Sequence, residues 1–163
     1  MTVSFRNGFF VGLIFATIFA LWLWQLWQPT RQVELHSGHL IAAVQSKNWE
    51  ALGGFLDQSY RDQWNQDRPV VLSRLREVLR FARNLRITTT SAKTIATTAE
   101  GDWSARITID AEENEIAEMI KSRVNNLDTP FELHWQHVSW KPWDWKLIRV
   151  TNSALELPAA GEF

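Results

Sequence analysis

Cysteine is absent from the chain. Its absence excludes disulfides, thiolate catalysis and cysteine-based zinc sites, and it leaves the compartment open. A surplus of one charge is also missing. Lys and Arg number 17 against 18 Asp and Glu, for a net charge of −1. No global field recruits nucleic acid, and no nucleic-acid partner is expected. There is no internal repeat and no low-complexity tract. His36 and His39 stand three apart, but no carboxylate at matching spacing joins them. No metal site and no cofactor is expected, and two histidines at a helix surface is the simpler reading.

Charge is missing altogether from residues 8–27, GFFVGLIFATIFALWLWQLW, where Thr17 and Gln25 are the polar side chains. About 20 such residues at roughly 1.5 Å per residue cover the roughly 30 Å hydrocarbon core of a bilayer. A helix also satisfies its own backbone, which lipid cannot do. Trp22, Trp24 and Trp27 cluster at one end, where indoles favour the headgroup level. Pro29 and Arg31 then stop the run. A cleaved secretory signal is the rival reading. The apolar run is longer than a usual signal core, and no small-x-small site follows it. Residues 1–29 are therefore expected to be a short tail and a transmembrane helix. Arg6 before the span and Arg31 after it give a slight bias toward an inside N-terminus. The expected location is the inner (cytoplasmic) membrane, single-pass, with the soluble domain extracytoplasmic.

About 130 residues remain, one domain's worth. Residues 30–157 are expected to form it, with 158–163 as a disordered tail. Residues 30–46 carry a helical stripe of Val33, Ser37, Leu40, Ile41 and Val44. Asn48 caps a short helix over 49–56. Residues 57–64 read as a turn or a single helical turn with two aromatic anchors, Tyr60 and Trp64. Asp67 and Pro69 start a helix running to about Arg83, with Val71, Leu72, Leu75, Val78, Leu79 and Ala82 as its buried stripe. Arg76, Arg80 and Arg83 mark another face, a candidate contact for anionic headgroups.

From residue 85 the period becomes two. Residues 85–98 read as one long strand with a bulge, or two short ones broken near Ser91 to Lys93. Glu100-Gly101-Asp102 reads as the hairpin turn. Beyond it, Trp103, Ala105, Ile107 and Ile109 alternate with polar residues. Asp110 and Glu113 form a capping-box-like start to a helix with Ile116, Met119, Ile120 and Val124 as its stripe. Residues 131–140 form a strand with Phe131, Leu133, Trp135 and His137 on one face. Residues 145–152 form the last strand.

Helices first and an antiparallel sheet after is an α+β arrangement. It resembles the NTF2-like (cystatin-like α+β) superfamily. The resemblance is carried by Leu40 to Leu52, then Phe55, Leu56 and Tyr60, with Trp145 to Val150 similar to the closing strand. It implies a cone of helices on a curved sheet. The helix beginning near Ala111 departs from the simplest pattern, and either lengthens a wall of the cone or covers an edge. Fold does not give function in this superfamily. No catalytic signature is present. The polar candidates for a pocket are Tyr60, Asp62, Arg106, Glu132, His134, His137 and Arg149. Two readings result. One is a non-enzymatic interaction or assembly module, similar in layout to membrane-anchored NTF2-like subunits of bacterial secretion assemblies. Its partners would be the bilayer through residues 8–27, and a homodimer mate or another membrane protein. The other is a membrane-tethered enzyme or small-ligand binder using the cone. The clustered Trp140, Trp143 and Trp145 are either core or an exposed patch.

Overall fold

The computed structural model describes residues 5–112 and 115–155. Its first helix is α1 (Phe5–Leu26). Residues 9–26 have a mean hydropathy of 2.0, and none of that stretch is buried in the protein. Among the described residues it is the one helix long and apolar enough to cross a membrane, a length and composition shared by anchors and secretory signals. Thr17 turns its hydroxyl back to the Leu13 carbonyl at 2.9 Å, so its polarity is satisfied within the helix.

Gln28 is extended, at φ −60° and ψ 135°. The following Pro29 disfavours helical geometry at that position and opens α2 (Pro29–Gln45). Gln32 is buried and donates from Nε2 to the Leu26 carbonyl at 2.8 Å, which ties the end of α1 to α2. The buried stripe of α2 is Val33, Ser37, Leu40 and Ala43. Ile41 and Val44 pack at its margin. Asn48 then accepts the Ala51 N–H and caps α3 (Trp49–Phe55), as expected. Asp67 does the same for α4 (Arg68–Leu79) by accepting the Val70 N–H. This helix ends four residues earlier than Arg83. Val78 is exposed, while Leu79, Ala82 and Leu85 form a small second core.

Four antiparallel strands follow in the order β1 (Arg86–Ala96), β2 (Glu100–Asp110), β3 (Phe131–His137) and β4 (Trp145–Thr151). The β1–β2 register shifts between Thr90 and Lys93, and Ser91 there takes φ 55°. Of the two expectations for this stretch, the single long strand with a bulge is the one found. A second shift between His134 and Trp135 adds to the curvature.

Glu100-Gly101-Asp102 is not the turn. All three residues lie in β2, and Gly101 pairs with Ala96 and Trp135. The turn is earlier, where Thr97 Oγ1 accepts the N–H groups of Ala99 and Glu100. Glycine is needed at 101 because α2 comes close. A Cβ there would lie 2.5 Å from Val33 Cγ2.

Two further expectations change. Asp110 stays in β2 opposite Arg86, and Glu113 lies outside the described residues. The helix α5 (Glu115–Asn125) exposes Met119 and buries Ala117 instead. The side chain of Ile116 is outside the description. The pairing of β2 with β3 stops at Ala105. Beyond it, the Asn125 amide accepts the Ile109 N–H at 2.7 Å and donates to the Ile109 carbonyl at 2.9 Å. So α5 covers an edge, one of the two roles expected for it. The segment 57–63, expected as a turn or a single helical turn, covers another. Asp57, Arg61 and Gln63 donate their N–H groups to the carbonyls of Leu147, Ile148 and Val150 along β4.

The main core lies between the sheet and α2 and α3. Trp103, Ala105, Leu133, Trp135, Trp145 and Leu147 meet Val33, Leu40, Ala43, Leu52, Leu56 and Tyr60 there. The helix α2 gives this domain two ends, about 25 Å apart at 1.5 Å per residue. At its Pro29 end lie α1, the β1–β2 turn and the β3–β4 connection. At its Gln45 end, Gln45 accepts the Ile87 N–H and Lys47 donates to the Ala82 carbonyl.

Candidate functional site

Strand alternation decides which polar residues meet. Leu133 and Trp135 face the helices, so Glu132 and His134 face away from them. Cross-strand pairing then sets Asp102 opposite His134, and His134 opposite Arg149, on the outer face of the sheet. An open cleft of about 370 Å³ forms there. Glu100, Asp102, Glu132, His134, Arg149 and Thr151 line it, with Trp135 and Ile148 of the same strands at its floor.

His134 is its centre. Its Nδ1 lies 2.7 Å from Asp102 Oδ1 and its Nε2 lies 3.2 Å from Thr151 Oγ1. Thr151 in turn donates its hydroxyl to Glu132 Oε2 at 3.1 Å. A carboxylate–imidazole–hydroxyl relay invites comparison with an activated nucleophile. That chemistry needs the hydroxyl to give its proton to the imidazole, whereas here the proton points to Glu132. Three carboxylates against one guanidinium make the cleft suited to holding a polar, partly cationic group rather than to activating Thr151.

The remaining candidates do not join this cluster. Tyr60 is in the core beside Leu52 and Leu56, and burial pushes its phenol well above its ordinary range. Asp62 is buried in the segment along β4. It accepts the N–H groups of Trp64 and Gln66 at 3.0 and 2.8 Å, which makes it a loop-forming residue. Burial raises its pKa, and those two N–H groups pull it back. Arg106 is on the outer face, where it reaches Asp128 at 3.3 Å. His137 stacks on Trp145 at 4.9 Å, with its nitrogens 3.1 Å from the Thr98 carbonyl and 2.7 Å from the Lys141 carbonyl. It is a staple between two turns. Arg106, Glu132, His134 and Arg149 were candidates for a cone pocket. They face out, because the inner alternation is taken by Trp and Leu.

Glu100, Asp102 and Thr151 were missed. Asp102 was legible in principle, since it is in phase with Ser104 and Arg106. Reading 100–102 as a turn took it out of the strand pattern.

The basic face moves too. Arg76 lies over the Trp49 ring at 5.7 Å, and Arg80 over Phe81 at 4.4 Å. Trp49 and Ala82 both sit at the Gln45 end of α2. Arg76, Arg80 and Arg83 are thus gathered at the end of the domain away from α1. The chain runs back along α3 and out again along α4, with Arg68 donating to the Gly53 carbonyl at the near turn.

Trp135 is enclosed by His36 and Phe55 in edge-on contacts at 5.8 and 6.4 Å. Trp135 Nε1 and Ser37 Oγ are buried there without a hydrogen-bond partner. Burial lowers the pKa of His36. Its Nδ1 lies 2.8 Å from the Gln32 carbonyl. No cluster of three or more metal-ligating side chains occurs among the described residues.

No protein-family model matches the chain, and no curated protein matches it. Solved structures do. An NTF2-like protein of unknown function from Pseudomonas putida superposes with a TM-score of 0.59 at 7% identity, over 77% of this chain and 86% of that one. An NTF2-like protein from Cytophaga hutchinsonii gives 0.54 at 17% identity, over 78% of this chain and all of that one. Bd1075 from Bdellovibrio bacteriovorus gives 0.58 at 8% identity, over 76% of this chain and 40% of that one, so this chain spans well under half of that protein. At such identities the likeness concerns architecture: the chain has the NTF2-like α+β fold, a curved four-stranded antiparallel sheet under N-terminal helices.

Proposed function

We propose that this protein is a single-pass, membrane-anchored NTF2-like domain acting as a non-enzymatic interaction or assembly module at the membrane surface. The observation that carries the reading is the filled cone. Trp103, Leu133, Trp135, Trp145 and Leu147 occupy the space between sheet and helices where a ligand would otherwise sit. With those side chains inside the cone, this reading assigns recognition to surfaces. The exposed apolar α1 and its short connection to α2 support a domain held close to the bilayer, and Arg6 with the terminal amine before the span, against Arg31 after it, supports an inside N-terminus and a domain outside the cytoplasm. A homodimer mate or another membrane protein is the proposed partner.

Two measurements test this. The full chain expressed in bacteria should stay in the membrane pellet after alkaline-carbonate extraction, and a periplasmic reporter joined after Phe163 should be active. Release into the supernatant would remove the anchor, and activity of a cytoplasmic reporter alone would reverse the topology. The outer cleft supports a second reading, a small-ligand binder. A metabolite screen by thermal shift decides between them. A compound that stabilises the full chain but not the Asp102→Asn/His134→Gln variant would replace the first reading with the second.

A further inference from the structure

The three clustered tryptophans of the β3–β4 connection part company in the structure. Trp145 is core, whereas Trp140 is 86% exposed and Trp143 51% exposed. Exposed single apolar residues need no explanation. These two do, because of where they stand. Trp143 lies 6.4 Å, ring to ring, from Trp27 at the end of the apolar helix. Trp27 is itself 43% exposed, as is Val138 at the start of the same connection.

We propose that residues 138–144 form a second membrane contact, an aromatic foot whose Trp140 and Trp143 sit at the headgroup level beside Trp27. The proposal rests on the reading of α1 as an anchor and adds what that reading leaves open, the attitude of the domain on the bilayer. If α1 spans, Trp27 marks the level of the interface, and its contact with Trp143 brings the connection to the same level. Indoles favour that level, with an apolar body and a polar N–H. Lys141, exposed between the two, suits anionic headgroups.

The connection is also held in shape before any contact is made. Val138 donates to the Asp144 carbonyl at 3.0 Å, and Asp144 donates to the Lys141 carbonyl at 3.0 Å. Trp145 Nε1 donates to the Pro142 carbonyl at 2.9 Å. His137 braces the connection against the β1–β2 turn. A rigid turn that points two indoles outward loses little freedom on docking. Two contacts, α1 and the foot, then fix the tilt, and the basic end at Arg80 and Arg83 points away from the lipid.

The missing cysteine makes the test direct. Lys141→Cys gives the full chain a single thiol and leaves both indoles in place. The thiol carries a nitrobenzoxadiazole label, and the protein is placed in phosphatidylcholine/phosphatidylglycerol vesicles. Nitroxide lipids with the spin label near the headgroup should quench the label, and more strongly than nitroxides deep in the acyl chains. A label at Arg83→Cys should be unaffected, and one at Ala20→Cys should respond to deep nitroxides. Adding Trp140→Ala to Lys141→Cys should remove most of the shallow quenching. If Ala20→Cys responds and Lys141→Cys does not, the foot is wrong while the anchor stands. If neither responds, both fall. A label at 141 that is shielded from aqueous iodide yet unquenched by lipid would put a protein on this surface and overturn the proposal.

Discussion

Replacing Gly101 by alanine tests how α2 is seated on the sheet. The new Cβ would meet Val33 Cγ2 at 2.5 Å, Ala96 Cβ at 3.2 Å and Val33 Cβ at 3.4 Å. Carbon atoms pack at roughly 3.5–4.0 Å, so about 1 Å must be found. Val33 cannot readily give it. The residue is fully buried and β-branched, with one strongly preferred rotamer in a helix. The helix cannot slide freely either, because Gln45 near its end accepts the Ile87 N–H of β1, and Lys47 just beyond it donates to the Ala82 carbonyl. Overpacking of this kind costs about 1–3 kcal/mol, and the gain from removing a strand glycine offsets roughly 0.5–1 kcal/mol of it. The net expectation for Gly101→Ala is a loss of about 1–2 kcal/mol, or about 4–8 °C in Tm for a domain of this size. Val33→Ala alone should cost about 2 kcal/mol in lost burial and cavity. The double variant should cost about the same as Val33→Ala alone, a coupling of at least about 1 kcal/mol. Urea unfolding of the full chain in mild detergent, followed by the fluorescence of the buried tryptophans, reads all three. A neutral Gly101→Ala would refute the close approach. Additive effects would place the requirement in the glycine backbone rather than in the space beside Val33.

Other variants separate core from surface. Trp103→Ala should destabilise by about 3–5 kcal/mol and Trp140→Ala by well under 1 kcal/mol in thermal unfolding, since one ring is buried and the other open; equal effects would contradict the partition. Asn152 is buried and satisfies the N–H groups of Ala154 and Leu155, the Thr129 hydroxyl and the carbonyls of Thr129 and Pro130. Asn152→Ala should cost about 3 kcal/mol or more by stranding several of these groups, and a change below about 1 kcal/mol would show that water replaces them. His36 gives a pH dependence of known sign. Its pKa is lowered by burial from 6.5, so the unfolded chain binds the proton more tightly. The stability it leaves intact above pH 6.5 is lost as pH falls below that value toward the folded pKa. The fall in Tm on acidification from pH 7 should be shallower in His36→Gln; an unchanged slope would assign the dependence to other groups.

Local chemistry was the legible part. Pro29, the caps Asn48 and Asp67, and the bulge near Ser91 act within a few residues of themselves, and the chain pattern located each one. Gly101 shows the limit. Its neighbours Glu100 and Asp102 are turn chemistry, but the reason for glycine is a valine nearly seventy positions earlier. Misplacing that turn also hid Asp102, and with it the outer cleft around His134. Arg106, His134 and Arg149 were pocket candidates whose orientation the sequence left open. Alternation says that two faces differ, and only packing says which one the helices choose. The position of Arg76, Arg80 and Arg83 depended on the reversal between α3 and α4, which no periodicity within α4 encodes.

The side chains and loop that lie along the sheet's borders decide how this molecule can associate. Open strand edges invite further strands, from a second copy or from a misfolded one. Here β4 is paired with residues 57–63, the overhang of β2 is occupied by the Asn125 amide, and the start of β1 gives the Ile87 N–H to Gln45. What remains of β1 is broken by the left-handed Ser91 and carries Lys93. If α1 is the anchor proposed above, a bilayer confines such molecules to two dimensions and raises the frequency of sideways encounters. Under that crowding, a sheet with blocked borders resists runaway strand addition, and association is left to faces and turns.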